Sequence, residues 1–230
     1  MTPPRYPYVD AVMANAGTAL LGNPPTLVFT RDVCRSLIRD RIPGAFVECG
    51  VAAGSHPAVM AAVAHEAHDP RLIHLFDSFE GIPIAGPEDD CQPGMSDADA
   101  PPRTGELRTT GISAASAAQV AANLATWGAP LGNCRFHRGW FQDVVPLVAP
   151  FLGPIAYLRL DGDLYESTRV CLEHLYPLVV PGGVVVVDDY ALTGCRKAVD
   201  RYLESRGERH DIRPIEGGGD EAGGPVWWRR

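Results

Sequence analysis

The sequence predicts a Rossmann-like α/β fold: a seven-stranded, mostly parallel sheet with a C-terminal antiparallel hairpin and helices on both faces. Three observations carry this. From residue 45 onward, short β-rich runs alternate with helical stretches, the order of a parallel sheet covered by helices. Two of the runs, "YLRLDGDLYES" (157–167) and "GGVVVVDDY" (182–190), lead oily residues straight into paired acids, so charge collects at the ends of buried strands. The last two runs are separated by the glycine-rich "EGGGDEAGG" (216–224), too short for a crossover helix. Those two must pair as a hairpin, which leaves one strand antiparallel to the rest.

Taken in order, residues 1–44 read as a helical arm containing the amphipathic "TRDVCRSLIRDRI". The domain proper then spans 45–230. Its strands are expected over 45–50, 71–77, 134–139, 155–161, 183–189, 210–215 and 225–230. Helices are expected from Pro57 to His68, Ser113 to Trp127, Phe141 to Phe151, Glu166 to Leu178 and Leu192 to Arg206. Pro57 suits a first turn, where its missing N–H costs nothing. Residues 79–112 stand outside the alternation. They are rich in Pro, Gly and Asp, and a loop that long inside a compact domain reads as a lid. Five acids (Glu88, Asp89, Asp90, Asp97, Asp99) suggest a mobile acidic flap over the substrate. The C-terminal "VWW" reads as core or dimer surface.

Composition narrows the partners. The formal net charge of -8 argues against nucleic acid, which wants a basic face. No run approaches a membrane span, and the N-terminus lacks a secretory signal. Six cysteines without a CxxC pair fit reduced thiols in a cytoplasm, most of them acting as small buried hydrophobes.

Ligands in open α/β sheets bind beyond the carboxyl ends of the strands, where every prominent acid falls. The first strand ends in "VECGVAAGS", in which Gly50 and Gly54 permit close backbone approach. Ala52 replaces the second glycine of the dinucleotide fingerprint. Asp77 ends the second strand, where ribose hydroxyls are commonly gripped. With Glu48, these residues point to a nucleoside-bearing cofactor. Asp161, Asp188 and Asp189 form a sharper group. Neighbouring strands end about 5 Å apart, so the three carboxylates converge, and all-oxygen ligation suits Mg²⁺ rather than zinc. The positive group expected between the acids is therefore a metal ion. Asp163, with Glu166 three residues on, has capping-box spacing and reads as a helix cap.

"FVECGVAAGS", "LFDSFEGIP", "HRGWFQDVVP", "LRLDGDLYEST" and "PGGVVVVDDY", in this order, resemble the macrocin O-methyltransferase family of antibiotic-tailoring enzymes. The resemblance implies a class I methyltransferase fold, S-adenosylmethionine and Mg²⁺ as cofactors, and a sugar hydroxyl of a natural product as acceptor. Carried over by position, it makes Asp161, Asp188 and Asp189 the metal ligands and Asp161 the candidate base. It places Glu48, Gly50, Ser55, Asp77 and Ser78 around the cofactor, and Gly139, Trp140 and Phe141 near the adenine edge. The chain departs from the family pattern at Ala52, Ala53 and His56. Bidentate chelation points to a vicinal diol or catechol-like pair as acceptor. A phenol or catechol methyltransferase would share these motifs, and an NAD-dependent oxidoreductase would share the sheet and Asp77. The partners expected are a small-molecule acceptor and a second copy of the chain, as a homodimer, with neither nucleic acid nor membrane.

Overall fold

The computed structural model describes residues 7–18, 23–90, 102–219 and 224–230. Two helices come first, α1 (Pro7–Ala16) and α2 (Pro24–Arg39). The alternation follows: β1 (Ala45–Cys49), α3 (Ser55–Glu66), β2 (Ile73–Asp77), α4 (Ala117–Thr126), β3 (Cys134–Arg138) and α5 (Phe141–Val148). It continues through β4 (Ile155–Leu160), α6 (Tyr165–Leu175), β5 (Val179–Val187), α7 (Thr193–Ser205), β6 (Arg213–Pro214) and β7 (Val226–Arg229).

The seven strands lie in the order β3-β2-β1-β4-β5-β7-β6. β1 to β5 are parallel, and β7 runs antiparallel between β5 and β6. The predicted sheet and its terminal hairpin are both present. β6 is shorter than expected because Pro214 has no N–H to extend the ladder. α4 begins after the expected Ser113, which adopts a positive φ of 56°. The helix start passes to Ser116, whose hydroxyl accepts the Gln119 N–H while the Gln119 side chain returns a bond to the Ser116 N–H.

Strand alternation splits the core in two. Phe46, Leu75, Val184 and Val186 face α1 to α4, whereas Val47, Phe76, Leu158, Leu160 and Val187 face α5 to α7. Val9, Val12, Leu27, Cys34 and Leu37 belong to the first core, so α1 and α2 pack on the domain through apolar side chains. Trp228 is fully buried and Trp227 packs against Phe29, so "VWW" is core. Cys34, Cys49, Cys134, Cys171 and Cys195 are buried free thiols, while Cys91 lies outside the described residues. Among the described residues no helix is long and apolar enough to cross a membrane.

Candidate active site

A cavity of about 440 Å³ opens beyond the carboxyl ends of β1, β2, β4 and β5. Its wall includes Glu48, Gly50, Ser55, Asp77, Ser78, Trp140, Phe141, Asp161, Asp163, Asp188 and Asp189. Sequence reasoning thus brought most of its candidates to one place. Gly54 and Gly139 are not on the wall but shape it. Both have positive φ, and a Cβ would lie 2.6 Å from Leu124 Cδ1 at Gly54 and 2.4 Å from Val144 Cγ2 at Gly139. Gly50 is more constrained still, with φ +90° and a Cβ position 1.7 Å from the Asp161 carbonyl oxygen. Only glycine lets β1 leave the sheet there.

Several predicted residues already have partners. Asp77 Oδ2 accepts the Val51 N–H at 2.7 Å and Oδ1 accepts the Phe79 N–H at 2.6 Å, so this acid fastens the glycine turn to the loop after β2. Burial raises its pKa, and those backbone bonds oppose the rise. The Ser55 hydroxyl donates to the Ala16 carbonyl, and the Ser78 hydroxyl donates to Gly81. Around the cavity, Ala52, Phe79, Ser113 and Asp163 all adopt positive φ without being glycine. Such strain persists only where the surroundings over-determine the backbone.

The cation already present among the acids is a guanidinium that sequence reasoning passed over. Arg159 lies on β4 opposite Glu48 on β1 and Val186 on β5. Its Nη1 donates to Glu48 Oε1 at 3.0 Å and to Asp161 Oδ2 at 2.5 Å, and its Nη2 donates to Asp188 Oδ1 at 2.5 Å. Arg159 and Glu48 are both almost wholly buried. The signal was a charge inside "IAYLRLD", two residues before Asp161 and therefore on the same side of the strand. Burial disfavours the guanidinium charge, but Asp188, Asp161 and Glu48 more than offset this.

The acids remain in excess. Among the described residues six carboxyl groups line the cavity, with Arg159 as the single fixed cation on that wall. Burial, opposed by Arg159, pushes the Asp188 carboxyl up to about 6. Burial, aided by the Asp161 and Asp188 charges, pushes Asp163 up to about 8. Asp189 is raised well above the usual range by burial and by Asp163. One oxygen each from Asp161, Asp188 and Asp189 can be chosen so that all three lie within 4.8 Å of one another. This all-oxygen, charge-deficient set fits a hard divalent cation.

Asp163 does not cap α6. The N-cap position is Leu164, which makes no side-chain cap bond, and Asp163 turns inward with its N–H donated to Asp189 Oδ2 at 2.9 Å. The cap comes from outside the helix: Asp89 Oδ1 accepts the Tyr165 N–H and Oδ2 accepts the Gly86 N–H, each at 2.8 Å. Glu88 pairs with Lys197 and Arg201. These two acids therefore bind the segment to α6 and α7 instead of facing a substrate. At its base Ile82 and Ile84 hydrogen-bond Ile112, Thr110 and Arg108 through the backbone. Ile82, Pro83 and Ile112 then form an apolar part of the cavity wall. Asp97 and Asp99 lie outside the described residues.

A polar network unforeseen in the sequence backs the cavity on the α2 side. His56 Nδ1 lies 2.8 Å from Thr30 Oγ1, which lies 3.1 Å from the Tyr157 hydroxyl. Burial, with the Arg159 charge, holds the imidazole well below its ordinary pKa, so it is neutral.

Known proteins resemble this chain in sequence and in fold. Residues 16–230 match the family described as macrocin-O-methyltransferase (TylF). The tetracenomycin-C derivative 4'-O-methyltransferase of Streptomyces olivaceus, whose substrate carries a dimethoxyrhamnosyl group, is 39% identical over 196 residues, 84% of this chain and 69% of that protein. Mycinamicin III 3''-O-methyltransferase of Micromonospora griseorubida is 35% identical over 197 residues, 85% of this chain and 72% of that protein. The solved structure of the O-methyltransferase NovP superposes with a TM-score of 0.74 at 32% identity, covering 92% of this chain and 81% of that one. The chain belongs to the macrocin O-methyltransferase (TylF) family and is an O-methyltransferase.

Proposed function

We propose that this enzyme methylates a hydroxyl, one of a vicinal pair, on the sugar of a glycosylated natural product, using S-adenosylmethionine and Mg²⁺. The observation that carries the reading is the convergence of Asp161, Asp188 and Asp189 on a wall where acids outnumber fixed cations. The sugar acceptor is supported by the Streptomyces olivaceus relative, whose name gives a rhamnosyl-bearing tetracenomycin as its substrate.

Glu48, Gly50, Gly54, Ser55, Asp77 and Ser78 would surround the cofactor, with Gly139, Trp140 and Phe141 at its adenine edge. S-adenosylmethionine supplies a methyl group on a sulfonium, an electrophile that needs a nucleophilic oxygen opposite it. Mg²⁺ held by the three aspartates would lower the pKa of an acceptor hydroxyl. Asp161 takes that proton as general base. Arg159 holds the Asp161 carboxylate in place through its Oδ2. Ile82, Pro83 and Ile112 keep water from the reacting groups. Asp163 is a second base candidate, because burial pushes it up to about 8 and so makes it the stronger proton acceptor once ionised.

The test is methyl transfer from labelled S-adenosylmethionine to a desmethyl glycoside, to its aglycone and to a catechol, with the product mapped by NMR. A methyl on the sugar oxygen is expected. Transfer only to the catechol or aglycone would overturn the sugar assignment.

A further inference from the structure

We infer that Arg159 couples the two halves of the site, making ligand binding at Glu48 and cation binding at Asp161 and Asp188 mutually favourable. The inference rests on the cofactor and metal reading above.

The guanidinium is shared. One nitrogen, Nη1, serves both Glu48 Oε1 at 3.0 Å and Asp161 Oδ2 at 2.5 Å, and Nη2 serves Asp188 Oδ1 at 2.5 Å. Glu48 is on the cofactor side of the cavity and the aspartates are on the metal side, so a single side chain spans the two. Arg159 is only 3% exposed and Glu48 2%, which leaves water little part in screening the exchange. Each carboxylate gives Arg159 one oxygen. The other Asp161 and Asp188 oxygens remain for a cation.

Glu48 supplies an independent sign of a missing ligand. Its Oε2 is buried on the cavity wall and has no hydrogen-bond partner among the described residues. A buried carboxylate oxygen in that position is costly unless a ligand donates to it.

The direction of the coupling follows from charge. A divalent cation at Asp161 and Asp188 satisfies those carboxylates and repels the guanidinium. Nη1 is then committed to Glu48, and the added positive charge nearby favours the ionised carboxylate, whose Oε2 accepts a cofactor N–H or O–H instead of carrying a proton itself. By linkage, a ligand bound at Glu48 must strengthen cation binding by the same factor. The expected factor is at least about fivefold, the lower range of couplings between sites. Lysine at this position has one compact ammonium and cannot span three carboxylates.

Calorimetry on the full chain decides the matter. S-adenosylhomocysteine is titrated with and without saturating Mg²⁺, and Mg²⁺ with and without saturating S-adenosylhomocysteine. The wild type should show equal enhancements in the two directions, about fivefold or more. Arg159→Lys and Glu48→Gln should each bring the factor below about twofold, with circular dichroism confirming the fold. Glu48→Gln keeps Arg159 in place, so it decides the question even if Arg159→Lys fails to fold. A wild-type factor near one with both ligands bound, or a factor that survives Glu48→Gln, overturns the coupling and leaves the metal reading intact. Absence of any Mg²⁺ binding removes the metal reading itself, and this inference with it.

Discussion

Asp89 and Tyr165 are joined at 2.8 Å, a carboxylate of the segment after β2 on the first N–H of the helix that follows the Asp161–Asp163 loop. Asp89 thus does the capping that Asp163 was expected to do. The neighbouring Gly194 is required, since a Cβ there would lie 1.9 Å from Asp89 Oδ1. Asp89→Ala should cost about 1–2 kcal/mol, the upper part of the range for losing a helix cap. For a chain of this size that lowers the melting temperature by roughly 2–8 °C. Protease cleavage within 79–112 should accelerate in the variant. An unchanged melting temperature and digestion pattern would mean the contact contributes nothing.

The aspartates should separate by rescue. Chelation is expected to abolish turnover, and Mg²⁺ to restore it. Asp188→Asn and Asp189→Asn should weaken the metal, so excess Mg²⁺ ought to recover part of the rate. Asp161→Asn should lose at least about 10²-fold in kcat without recovery, because it removes the base as well as a ligand. Asp163→Asn is the control: a comparable, unrescued loss there with a mild Asp161→Asn would move the base to Asp163.

Stability should depend on pH in a way that the metal reverses. Asp188 sits at about 6 and Asp163 at about 8 in the folded protein, both raised by burial. Unfolded, these carboxyls would titrate near their ordinary value of about 4. The folded state therefore holds protons that the unfolded chain has released, and this stability is lost as pH rises through the folded values. The melting temperature of chelated protein should fall between about pH 5 and pH 8. Mg²⁺ competes with the same protons, so its stabilising effect should grow over that interval. At a hundredfold excess over Kd it should reach about 2.7 kcal/mol. Calorimetric scans across this range check both trends, and a pH-independent Mg²⁺ effect would count against these acids as its ligands.

The glycine turn offers a contrasting pair. Ala52 holds φ +44°, a left-handed conformation that costs a non-glycine residue about 1–2 kcal/mol. Ala52→Gly should relieve part of this and stabilise by roughly 0.5–1 kcal/mol, after the extra chain entropy of glycine is offset. Gly50→Ala should do the reverse, because its Cβ would collide with the Asp161 backbone. Denaturant midpoints distinguish the two, and a destabilised Ala52→Gly would show that Ala52 is not strained.

Much of this site was legible because parallel strands leave a strong mark. Buried runs such as "GGVVVV" ended at the acids, and the sheet brought those ends together. Gly50 and Gly54 were visible as turn residues for the same local reason. Arg159 was passed over and the roles of His56 and Asp89 were not read, since each acquires its role from partners distant in sequence. Arg159 meets Glu48 across 111 positions, and Asp89 meets Tyr165 across 76. Local spacing favoured Asp163 as a cap, but tertiary contact with Asp189 decided otherwise.

β7 lies between β5 and β6, so the outer edge of the valine strand is completed by residues 226–229. On the ribosome, those residues are synthesised well after β5. Until they emerge, the nascent chain presents an unpaired, oily strand edge of the kind that invites pairing with another chain. Removal of residues 226–229 should therefore bare that edge and favour association with other chains, which light scattering of the truncated protein would show.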